Sequence, residues 1–546
     1  MSPVVAKILE RRGITAAELE DFLHPTLDKL ANPSDLPGVD VAADFILDSI
    51  MYRRKIVVFG DYDCDGVCAT AIVSRTLRAL GGEVSEYIPD RLTEGYGMSE
   101  QSIARMLKNN PGVGLVVTVD NGINSVEQVT DLKRKWASVV VTDHHLPGDS
   151  LPDANAIVNP KVAAPTHLQD LCGAGVAFML ANRIVSEAKR RGMYAGPPLG
   201  GPLLVLAGLA TVTDIMPLVG QNRILVSEAL KRFGTCAPLG LRELRERASR
   251  TGYGDMTTKD FSFMLGPRIN AAGRIERFGA AQALELVTSE DREIVRELAR
   301  IIDGYNVERK AVEQKMTEEA FAKVVPGAPA QVIDLPEGNP GVAGIVAARV
   351  MENLGERVPV CVYAGGHGSA RAPDGLNIRD AFVACADALD RYGGHAAAGG
   401  FSVKEGRIDD FRRMLCDYCG SLVGTDPERA LKNGGLGEVD VWVEPADLTL
   451  ELADELRQLE PVGEGNPEPV FGLKGVVLSD VKPFGIDGRH LSLALRGTGL
   501  RAVQWGRGDS VEKIRAKGSD PCDVAFTLAV SDYGERHVEL RLVAVA

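Results

Sequence analysis

The sequence has 546 residues, of which 45% are hydrophobic and 25% are charged, the balance of a globular protein with several domains. Its formal net charge of −14 argues weakly against a nucleic-acid partner, because proteins that bind phosphates usually present a basic surface. The charge does not exclude one, since local basic patches and bound cations set the potential at a site. Because there is no long apolar run and no signal-peptide pattern at the start, we expect a cytoplasmic protein without a membrane span.

The hydrophobic pattern along the chain predicts an α/β protein with a β-rich end. Residues 1–45 have the spacing of short helices. Between about 55 and 220, β-branched runs such as KIVVFG and GLVVTV alternate with amphipathic stretches, which is typical of a parallel sheet covered on both faces. A charged segment from about 274 to 323 predicts a long connecting helix, and a second α/β region runs from about 328 to 425. Short alternating strands after residue 436 predict a small β-barrel of the OB-fold type.

The nine cysteines are spread without the spacing of a disulfide framework, which predicts reduced and mostly buried thiols. Cys416 and Cys419 form an isolated CxxC. A structural zinc is the alternative, but no second Cys/His pair lies at zinc spacing nearby. We favour one turn of a helix whose sulfurs pack as small hydrophobic groups.

The strongest chemical signal is a run of acids after the first predicted strand. KIVVFG ends in DYDCDG, which contains Asp61, Asp63 and Asp65. Three carboxylates this close repel one another unless protons or a cation compensate their charge. Parallel-sheet proteins place ligands at this end of their strands. An EF-hand is excluded, because Ile72 stands where its bidentate glutamate belongs and the flanks are a strand and a helix.

Similar groups end two further strands and one helix. GLVVTV is followed by DNG from Asp120, ASVVVT by the DHH sequence at 143–145, and Asp214 lies near the end of an apolar helix. Each alone has a simpler interpretation as a turn or loop residue, but the combination favours a metal centre. A carboxylate-rich ligand set suits Mn²⁺ or Mg²⁺ better than zinc. Two such ions can promote in-line displacement at a phosphodiester.

These motifs, in this order, resemble those of the DHH phosphoesterase family. DYDCDG, VTVDNG, VTDHH and TVTDIMPL match the motifs of the catalytic domain. GVAGIVAARVMENLG, GSARAPDGLNI and GGHAAAGGF resemble the substrate-binding DHHA1 domain, and EGYGM, GPRINAAGRI and EPVGEGNPEPVF resemble segments of the RecJ branch. The resemblance covers most of the chain, from about residue 20 to the end.

Pattern and resemblance together divide the chain into domains. They are an N-terminal helical segment (1–45), a DHH catalytic domain (46–265), a connecting helix region (266–327), a DHHA1 substrate-binding domain (328–430) and an OB-fold nucleic-acid-binding domain (431–546).

The resemblance implies an exonuclease that degrades single-stranded DNA from 5′ to 3′, releases mononucleotides with two Mn²⁺ or Mg²⁺ ions, and acts in DNA repair and recombination. It further implies a monomer whose protein partners include a single-strand-binding protein and a helicase. Two alternatives stay open. One is a phosphodiesterase of the same family acting on short oligonucleotides or cyclic dinucleotides, although such relatives usually lack the C-terminal barrel. The other is a non-catalytic DNA-binding scaffold, in which loss of the metal ligands is expected.

The resemblance also assigns roles to individual residues. The residues that match metal ligands, with Asp61 as a further candidate, are Asp61, Asp63, Asp65, Asp120, His144 and Asp214. His145 would contact the scissile phosphate or the bridging water, and with Asp120 and His395 it forms the implied catalytic set. One departure is Phe59, which stands where some relatives carry His and leaves the ligands of the second ion open.

Substrate contacts are predicted in three places. Tyr96 would stack on a base, and Arg268 and Arg274 would clamp the strand backbone or its 5′ phosphate, with core packing and helix capping as the respective alternatives. Ser369 and Arg371, in a Gly-rich loop, would bind a phosphate, and the GGH motif with Gly394 and His395 would face it. The alternatives are a flexible surface turn for the loop and a packing role for His395. Core packing is the alternative for most of the aromatic candidates in the barrel. The aromatic and basic candidates there are Trp442, Phe471, Phe484, Trp505, Tyr533, Arg489, His490, Arg496, Arg501, Arg507 and Lys513.

Overall fold

The computed structural model describes residues 1–91, 93–94, 97–197, 199–249, 254–423, 438–531 and 535–546. It divides the chain into two compact units. The larger comprises Leu27–Met216 and Gln221–Pro427, and the smaller comprises Met1–Thr26, Pro217–Gly220 and Glu428–Ala546. Tyr96 and Tyr533, two predicted stacking residues, lie outside the described residues.

The N-terminal helices belong to different units. Helices α1 (Pro3–Arg11) and α2 (Leu19–Leu23) lie in the smaller unit, where Val5 and Phe22 share a hydrophobic core with the C-terminal strands. Helix α3 (Val39–Met51) lies in the larger unit. Residues 1–45 are thus divided between two cores, which the local helix spacing could not show.

A parallel sheet forms the first half of the larger unit. Its elements and the helices between them are β1 (Lys55–Phe59), α4 (Cys64–Ala79), β2 (Val84–Tyr87), α5 (Glu100–Asn109), β3 (Val113–Val119), α6 (Val126–Arg134), β4 (Ser138–Thr142) and β5 (Ala156–Val158). The strands are ordered β2-β1-β3-β4-β5 and all pair in parallel, as the sequence predicted. Strands β1, β3 and β4 are almost wholly buried because helices cover both faces. Their carboxyl ends therefore meet at one edge.

Helices complete the first half of this unit. They are α7 (Pro160–Ala163), α8 (Gly173–Arg190), α9 (Gly200–Thr213), α10 (Gly220–Cys236), α11 (Leu239–Ala248), α12 (Thr258–Asp260), a π-helix (Phe261–Leu265), α13 (Gly266–Ile275), α14 (Gly279–Thr288) and α15 (Arg292–Phe321). The predicted connecting helix from about 274 is broken, because Phe278 adopts a left-handed conformation and Ser289 an extended one. Asp291 then caps α15 by accepting hydrogen bonds from two backbone N–H groups. Within the described residues, no helix combines the length and the apolarity needed to cross a bilayer.

A mixed sheet forms the second half of the larger unit. Its elements are β6 (Gln331–Leu335), α16 (Ala343–Asn353), β7 (Val360–Ala364), β8 (His367–Arg371), α17 (Ile378–Ala384), β9 (Leu389–Gly394), β10 (Ala398–Val403) and α18 (Ile408–Val423). The strand order is β6-β7-β8-β10-β9, with β6 and β7 parallel and the other pairs antiparallel. Cys419, on α18, is buried in the apolar core of this half, and Cys416 packs against it. Both thiols therefore pack as small hydrophobic groups.

The smaller unit contains the C-terminal sheet. Its elements are β11 (Val441–Trp442), α19 (Leu450–Leu456), β12 (Phe471–Val476), β13 (Leu478–Phe484), β14 (His490–Leu495), β15 (Arg501–Gln504), α20 (Val511–Arg515), β16 (Cys522–Ser531) and β17 (His537–Val545), with the order β11-β12-β16-β17-β15-β14-β13. Phe471 is fully buried against Phe526, as expected of the aromatic candidates that belong to the core, so it is not a stacking residue. Trp442 and Trp505 are 42% and 56% exposed; Lys474 lies over the ring of Trp442 at 4.8 Å, and Phe484 and His490 contact Trp505.

Candidate metal centre and phosphate-binding site

The loop after β1 is folded tightly by its own acids. Asp63 caps α4, since its Oδ1 accepts hydrogen bonds from the backbone N–H of Asp65 and of Gly66, each at 3.0 Å. A Cβ on Gly66 would lie 2.5 Å from the carbonyl oxygen of Asp61, so only glycine allows this approach. The loop brings Asp61, Asp63 and Asp65 to the carboxyl edge of the sheet.

Asp65 is held by the start of α8. Its Oδ2 accepts from the backbone N–H of Gly173 at 2.6 Å, and its Oδ1 accepts from that of Ala174 at 2.7 Å. A helix N-terminus favours negative charge, so α8 stabilises the buried carboxylate. Glycine at 173 also leaves room for Asp120, because a Cβ there would lie 2.6 Å from the Cβ of Asp120.

Asp120 follows β3 in a left-handed conformation, with φ of 60°, and is buried. Such a conformation is uncommon for a residue other than glycine and occurs often at functional sites. Beside it, Asn121 donates hydrogen bonds to the carbonyl oxygens of Phe59 and Val119. The amide thereby ties the end of β3 to the end of β1.

The three DHH residues after β4 have different roles, and Asp143 holds the loop in place. Asp143 accepts hydrogen bonds from the backbone N–H of Ile123, His144 and His145, and from Nδ1 of His145 at 2.7 Å. Its carboxylate is therefore fully engaged in holding the loop, and it orients the second imidazole. The DHH motif alone does not reveal this role of Asp143, because a motif does not show which way a side chain points.

His144 stands where the acids converge. Its Nε2 lies 3.2 Å from Oδ1 of Asp120 and 3.6 Å from Oδ2 of both Asp65 and Asp214. Asp214 reaches this point as the residue that ends α9. Four stretches that are remote in the sequence thus place ligand atoms together at one edge of the sheet.

We use the name metal centre for Asp61, Asp63, Asp65, Asp120, His144, His145 and Asp214. Within it, three groups have ligand atoms that all lie within 4.8 Å of one another: Asp61, Asp63 and Asp120; Asp65, His144 and Asp214; and Asp120, His144 and His145. Among the described residues, one buried oxygen each of Asp61, Asp120 and Asp214 has no hydrogen-bond partner. Buried oxygens without partners are costly, and a divalent cation would satisfy them. The residues present therefore fit Mn²⁺ or Mg²⁺.

The pKa values at the metal centre also indicate that its carboxylates lack a neutralising cation. Burial and the neighbouring carboxylates raise the pKa of Asp214 to about 9 and that of Asp65 to about 6, and they raise the pKa of Asp120 well above its usual value. Burial, together with the charge of His145, lowers the pKa of His144 to about 3, so this imidazole is neutral at pH 7. A neutral imidazole is the form that ligates metals.

His145 behaves in the opposite way. Burial lowers the pKa of His145, but the hydrogen bond and the charge of Asp143 outweigh it and raise the pKa to about 9. The ring stacks on that of His395, with centroids 6.4 Å apart and planes inclined by 6°. His395 lies in the turn between β9 and β10, where a Cβ on Gly394 would lie 2.4 Å from the carbonyl oxygen of Ala398. The predicted GGH motif is thus brought to the DHH motif.

Three guanidinium groups lie beside the metal centre. The buried guanidinium of Arg274, on α13, has its pKa lowered by burial and by the charge of Arg91, and the pKa of Arg371, on β8, is lowered by the same two effects. Arg91 stacks on Tyr62 at 4.6 Å. Among the described residues, none of these three arginines has a carboxylate within 4.0 Å. Sequence reasoning missed Arg91, whose only signal was its place before the EGYGM segment.

Of the two other predicted substrate contacts, Ser369 lies near Arg371, whereas Arg268 makes structural contacts. Ser369 lies on β8, two residues before Arg371 on the same face. Arg268 instead donates to Oδ1 of Asp303 at 2.8 Å and to the carbonyl oxygen of Met264 at 2.7 Å. These contacts join α13 to α15 and agree with the structural alternative that the sequence left open for Arg268.

Asn270, which had not been singled out, accepts a hydrogen bond from the backbone N–H of Cys64 at 2.7 Å and so steadies the DYDCDG loop.

Family models match three parts of the chain. The DHH family, N-terminal domain, matches residues 55–198; the DHHA1 domain matches 327–421; and the RecJ OB domain matches 439–544. The first contains all of the metal centre except Asp214, and the second contains Arg371 and His395.

Comparison with curated proteins extends the match to nearly the whole chain. The single-stranded-DNA-specific exonuclease RecJ of Dickeya dadantii is 34% identical over 565 residues, which cover 98% of this chain and 95% of that protein. The chain belongs to the RecJ family. The RecJ of Bacillus subtilis is 35% identical over 527 residues, and this chain spans 64% of its length.

Solved RecJ structures agree with this fold. The crystal structure of RecJ from Thermus thermophilus in complex with Mn²⁺ matches with a TM-score of 0.83 and 33% identity, covering 100% of this chain and 76% of that one. The complex of the same RecJ with Mg²⁺ matches with a TM-score of 0.77.

Proposed function

We propose that this RecJ-family chain is a metal-dependent exonuclease that degrades single-stranded DNA from 5′ to 3′ and releases mononucleotides. The observation that carries the proposal is the convergence of Asp65, Asp120 and Asp214 within 3.6 Å of Nε2 of His144. The curated relatives are named single-stranded-DNA-specific exonucleases, and their identity extends over nearly all of this chain.

Two Mn²⁺ or Mg²⁺ ions fit the metal centre. One would be held by Asp61, Asp63 and Asp120 and the other by Asp65, His144 and Asp214. Bound divalent ions supply an activated water at neutral pH and stabilise the charge on the leaving oxygen. The unsatisfied oxygens of Asp61, Asp120 and Asp214 supply the negative charge that such ions require.

The remaining residues act on the phosphate itself. His145 is held in its protonated form by Asp143, so it donates a hydrogen bond to a phosphate oxygen while charge builds up there. Its partner ring, His395, faces the same space and comes from the DHHA1 region. Arg91, Arg274 and Arg371 attract the backbone or the 5′ phosphate of the strand, because guanidinium groups pair with phosphate oxygens.

The C-terminal region favours a long strand over a dinucleotide. Residues 439–544 match the RecJ OB domain, and OB-folds bind single strands through basic grooves and aromatic platforms. The exposed Trp442 and Trp505 are suitable platforms. Comparing turnover on a dinucleotide with turnover on a long single strand separates this proposal from the small-substrate phosphodiesterase.

A strand labelled at either end tests the proposal. With Mn²⁺, a 5′ label should be released first as a mononucleotide, and EDTA should stop its release. Early release of the 3′ label would overturn the polarity, and cleavage that survives EDTA would overturn the metal mechanism. The cytoplasmic location, the monomeric state and partners such as a single-strand-binding protein or a helicase stay predictions.

A further inference from the structure

Ile215, which directly follows Asp214, adopts an unusual backbone conformation. Its φ is 57°, in the left-handed region, and its side chain is 71% exposed. Its backbone N–H donates to the carbonyl oxygen of Val212 at 3.3 Å, and that of Met216 donates to Thr211 at 3.1 Å. These two hydrogen bonds are those of a Schellman motif that ends α9, in which the left-handed residue is usually glycine.

Isoleucine is a poor choice for this position on grounds of stability. A β-branched side chain in the left-handed region is sterically strained, and an exposed apolar side chain gains nothing from burial. Strained residues persist where the surrounding structure holds them, and they are concentrated at functional sites. The side chain at 215 therefore calls for a functional explanation.

The position of Ile215 in the fold is next to the metal centre. Its Cα lies about 3.8 Å from that of Asp214, whose Oδ2 is 3.6 Å from Nε2 of His144. The π-helix packs on the same end of α9, since a Cβ on Gly266, directly after it, would lie 2.1 Å from Cγ2 of Thr213. That π-helix carries Phe263, which is 77% exposed. Ile215 thus directly follows a residue of the metal centre, and the exposed Phe263 belongs to the helix that packs on the same end of α9.

We infer that Ile215 is a substrate-contacting residue that packs against the base or sugar of the nucleotide next to the scissile phosphate. The inference rests on the proposed exonuclease function and adds an apolar contact to it. Phosphate contacts position a strand without regard to its bases, whereas an apolar side chain packs against the face of any base. Ile215 would therefore fix the position of the nucleotide next to the cut, whatever its base.

The variant Ile215→Gly separates this role from a structural one. Glycine relieves the backbone strain, so the apparent Tm should rise by about 2 °C. The lost contact should lower kcat/KM on a long single strand on the order of 10-fold. Affinity for Mn²⁺ without DNA, measured by calorimetry, should not change, because Asp214 keeps its place.

Trp136 provides a matched control. It also ends a helix in a Schellman motif, with φ of 67° and 92% exposure, but it precedes β4 and so lies at the opposite edge of the sheet from the metal centre. Trp136→Gly should raise the apparent Tm in the same way and leave kcat/KM unchanged.

Strands with a single abasic site identify the contacted nucleotide. The site is moved through the first four positions from the 5′ end, and each strand is digested by wild type and by Ile215→Gly. Removing the base should slow the wild type at one position near the cut and should have no further effect on the variant there. If Ile215→Gly matches the wild type on every strand, or if its affinity for Mn²⁺ falls in step with its activity, the inference is wrong. A wild type that does not cleave single strands would instead overturn the proposed function.

Discussion

Asp143 accepts a hydrogen bond from Nδ1 of His145 at 2.7 Å, and its other oxygen is held by the backbone N–H of Ile123 at 2.9 Å. The pair turns Nε2 of His145 away from the loop and keeps the ring protonated. Asp143 therefore acts by orienting His145 and keeping it protonated, whereas the imidazole of His144 is free of this pair and can bind metal.

Asp143→Asn should lower kcat on the order of 10²-fold, because the amide keeps the size of the side chain but loses the charge that holds His145 protonated. Steady-state digestion of a long single strand measures the effect. Asp131→Asn, a similar change at a surface ion pair on α6, should leave kcat unchanged. Equal losses in both variants would contradict the role of Asp143.

The same pair predicts a pH dependence of stability in the metal-free protein. The pKa of His145 is about 9 in the folded chain, against about 6.5 for an unfolded histidine. Because the folded pKa is raised, its stabilising contribution is complete below about pH 6.5 and is lost as the pH rises through about 9. In EDTA, the difference in free energy of unfolding between wild type and Asp143→Asn should therefore be larger at pH 6 than at pH 9.5, where only the lost backbone hydrogen bonds of Asp143 remain. Urea denaturation at both values measures it, and a difference that grows with pH would contradict the prediction.

Asp120→Asn should weaken the stabilisation of the fold by metal. Without metal, the variant should be at least as stable as the wild type, because it removes a buried carboxylate that lacks a hydrogen-bond partner for one oxygen. Asparagine also tolerates the left-handed conformation at this position. At 100 times its Kd, Mn²⁺ stabilises a single site by about 2.7 kcal/mol, so the wild type should gain more in apparent Tm than the variant.

Thermal scans with Mn²⁺ and with EDTA test this prediction for Asp120. Cleavage by Asp120→Asn should fall by at least about 10³-fold, while binding to a single strand at low salt remains measurable. Asp149→Asn, an exposed acid in the loop after the DHH motif, serves as the control and should behave as the wild type. An active Asp120→Asn would mean that the metal centre is wrongly assigned.

Gly173→Ala should slow cleavage through a single methyl group. The new Cβ would lie 2.6 Å from that of Asp120, so the carboxylate must move, and a displacement of about 1 Å costs on the order of 10²-fold in rate. Gly234→Ala, on α10, meets no atom within 4 Å and should stabilise the chain by up to about 1 kcal/mol without changing the rate. Digestion rates and urea denaturation of the two variants provide the comparison.

Arg91→Gln should weaken recognition of the strand terminus or its backbone. Loss of one guanidinium from the group with Arg274 and Arg371 should raise KM about 10-fold with little change in kcat. Comparing strands with a 5′ phosphate and a 5′ hydroxyl shows which phosphate is bound, since only a terminal contact distinguishes them. Arg134→Gln, at an exposed surface pair, should leave KM unchanged. An unchanged KM on both strands for Arg91→Gln would remove Arg91 from the phosphate site.

Much of the metal centre could be predicted because its residues follow elements that have strong local signals. Asp61, Asp120 and His144 come after buried β-branched strands, and parallel strands end at a common edge. Arg268 could not be assigned in this way. Its sequence neighbourhood suits both a phosphate clamp and a structural contact, and only its hydrogen bond to Asp303, on another helix, favours the second.

The sequence by itself determined the parallel sheet, the two α/β regions, the C-terminal sheet and the set of acids and imidazoles. These follow from periodicity and from motif order, which are local properties of the chain. Only the tertiary structure decided that α1 and α2 pack with the C-terminal strands, that Phe471 is core, that Asp143 orients His145 and that Arg91 joins Arg274 and Arg371. Each of these depends on which distant segments come into contact and on the direction of a side chain, and neither is encoded in the spacing of residues along one segment.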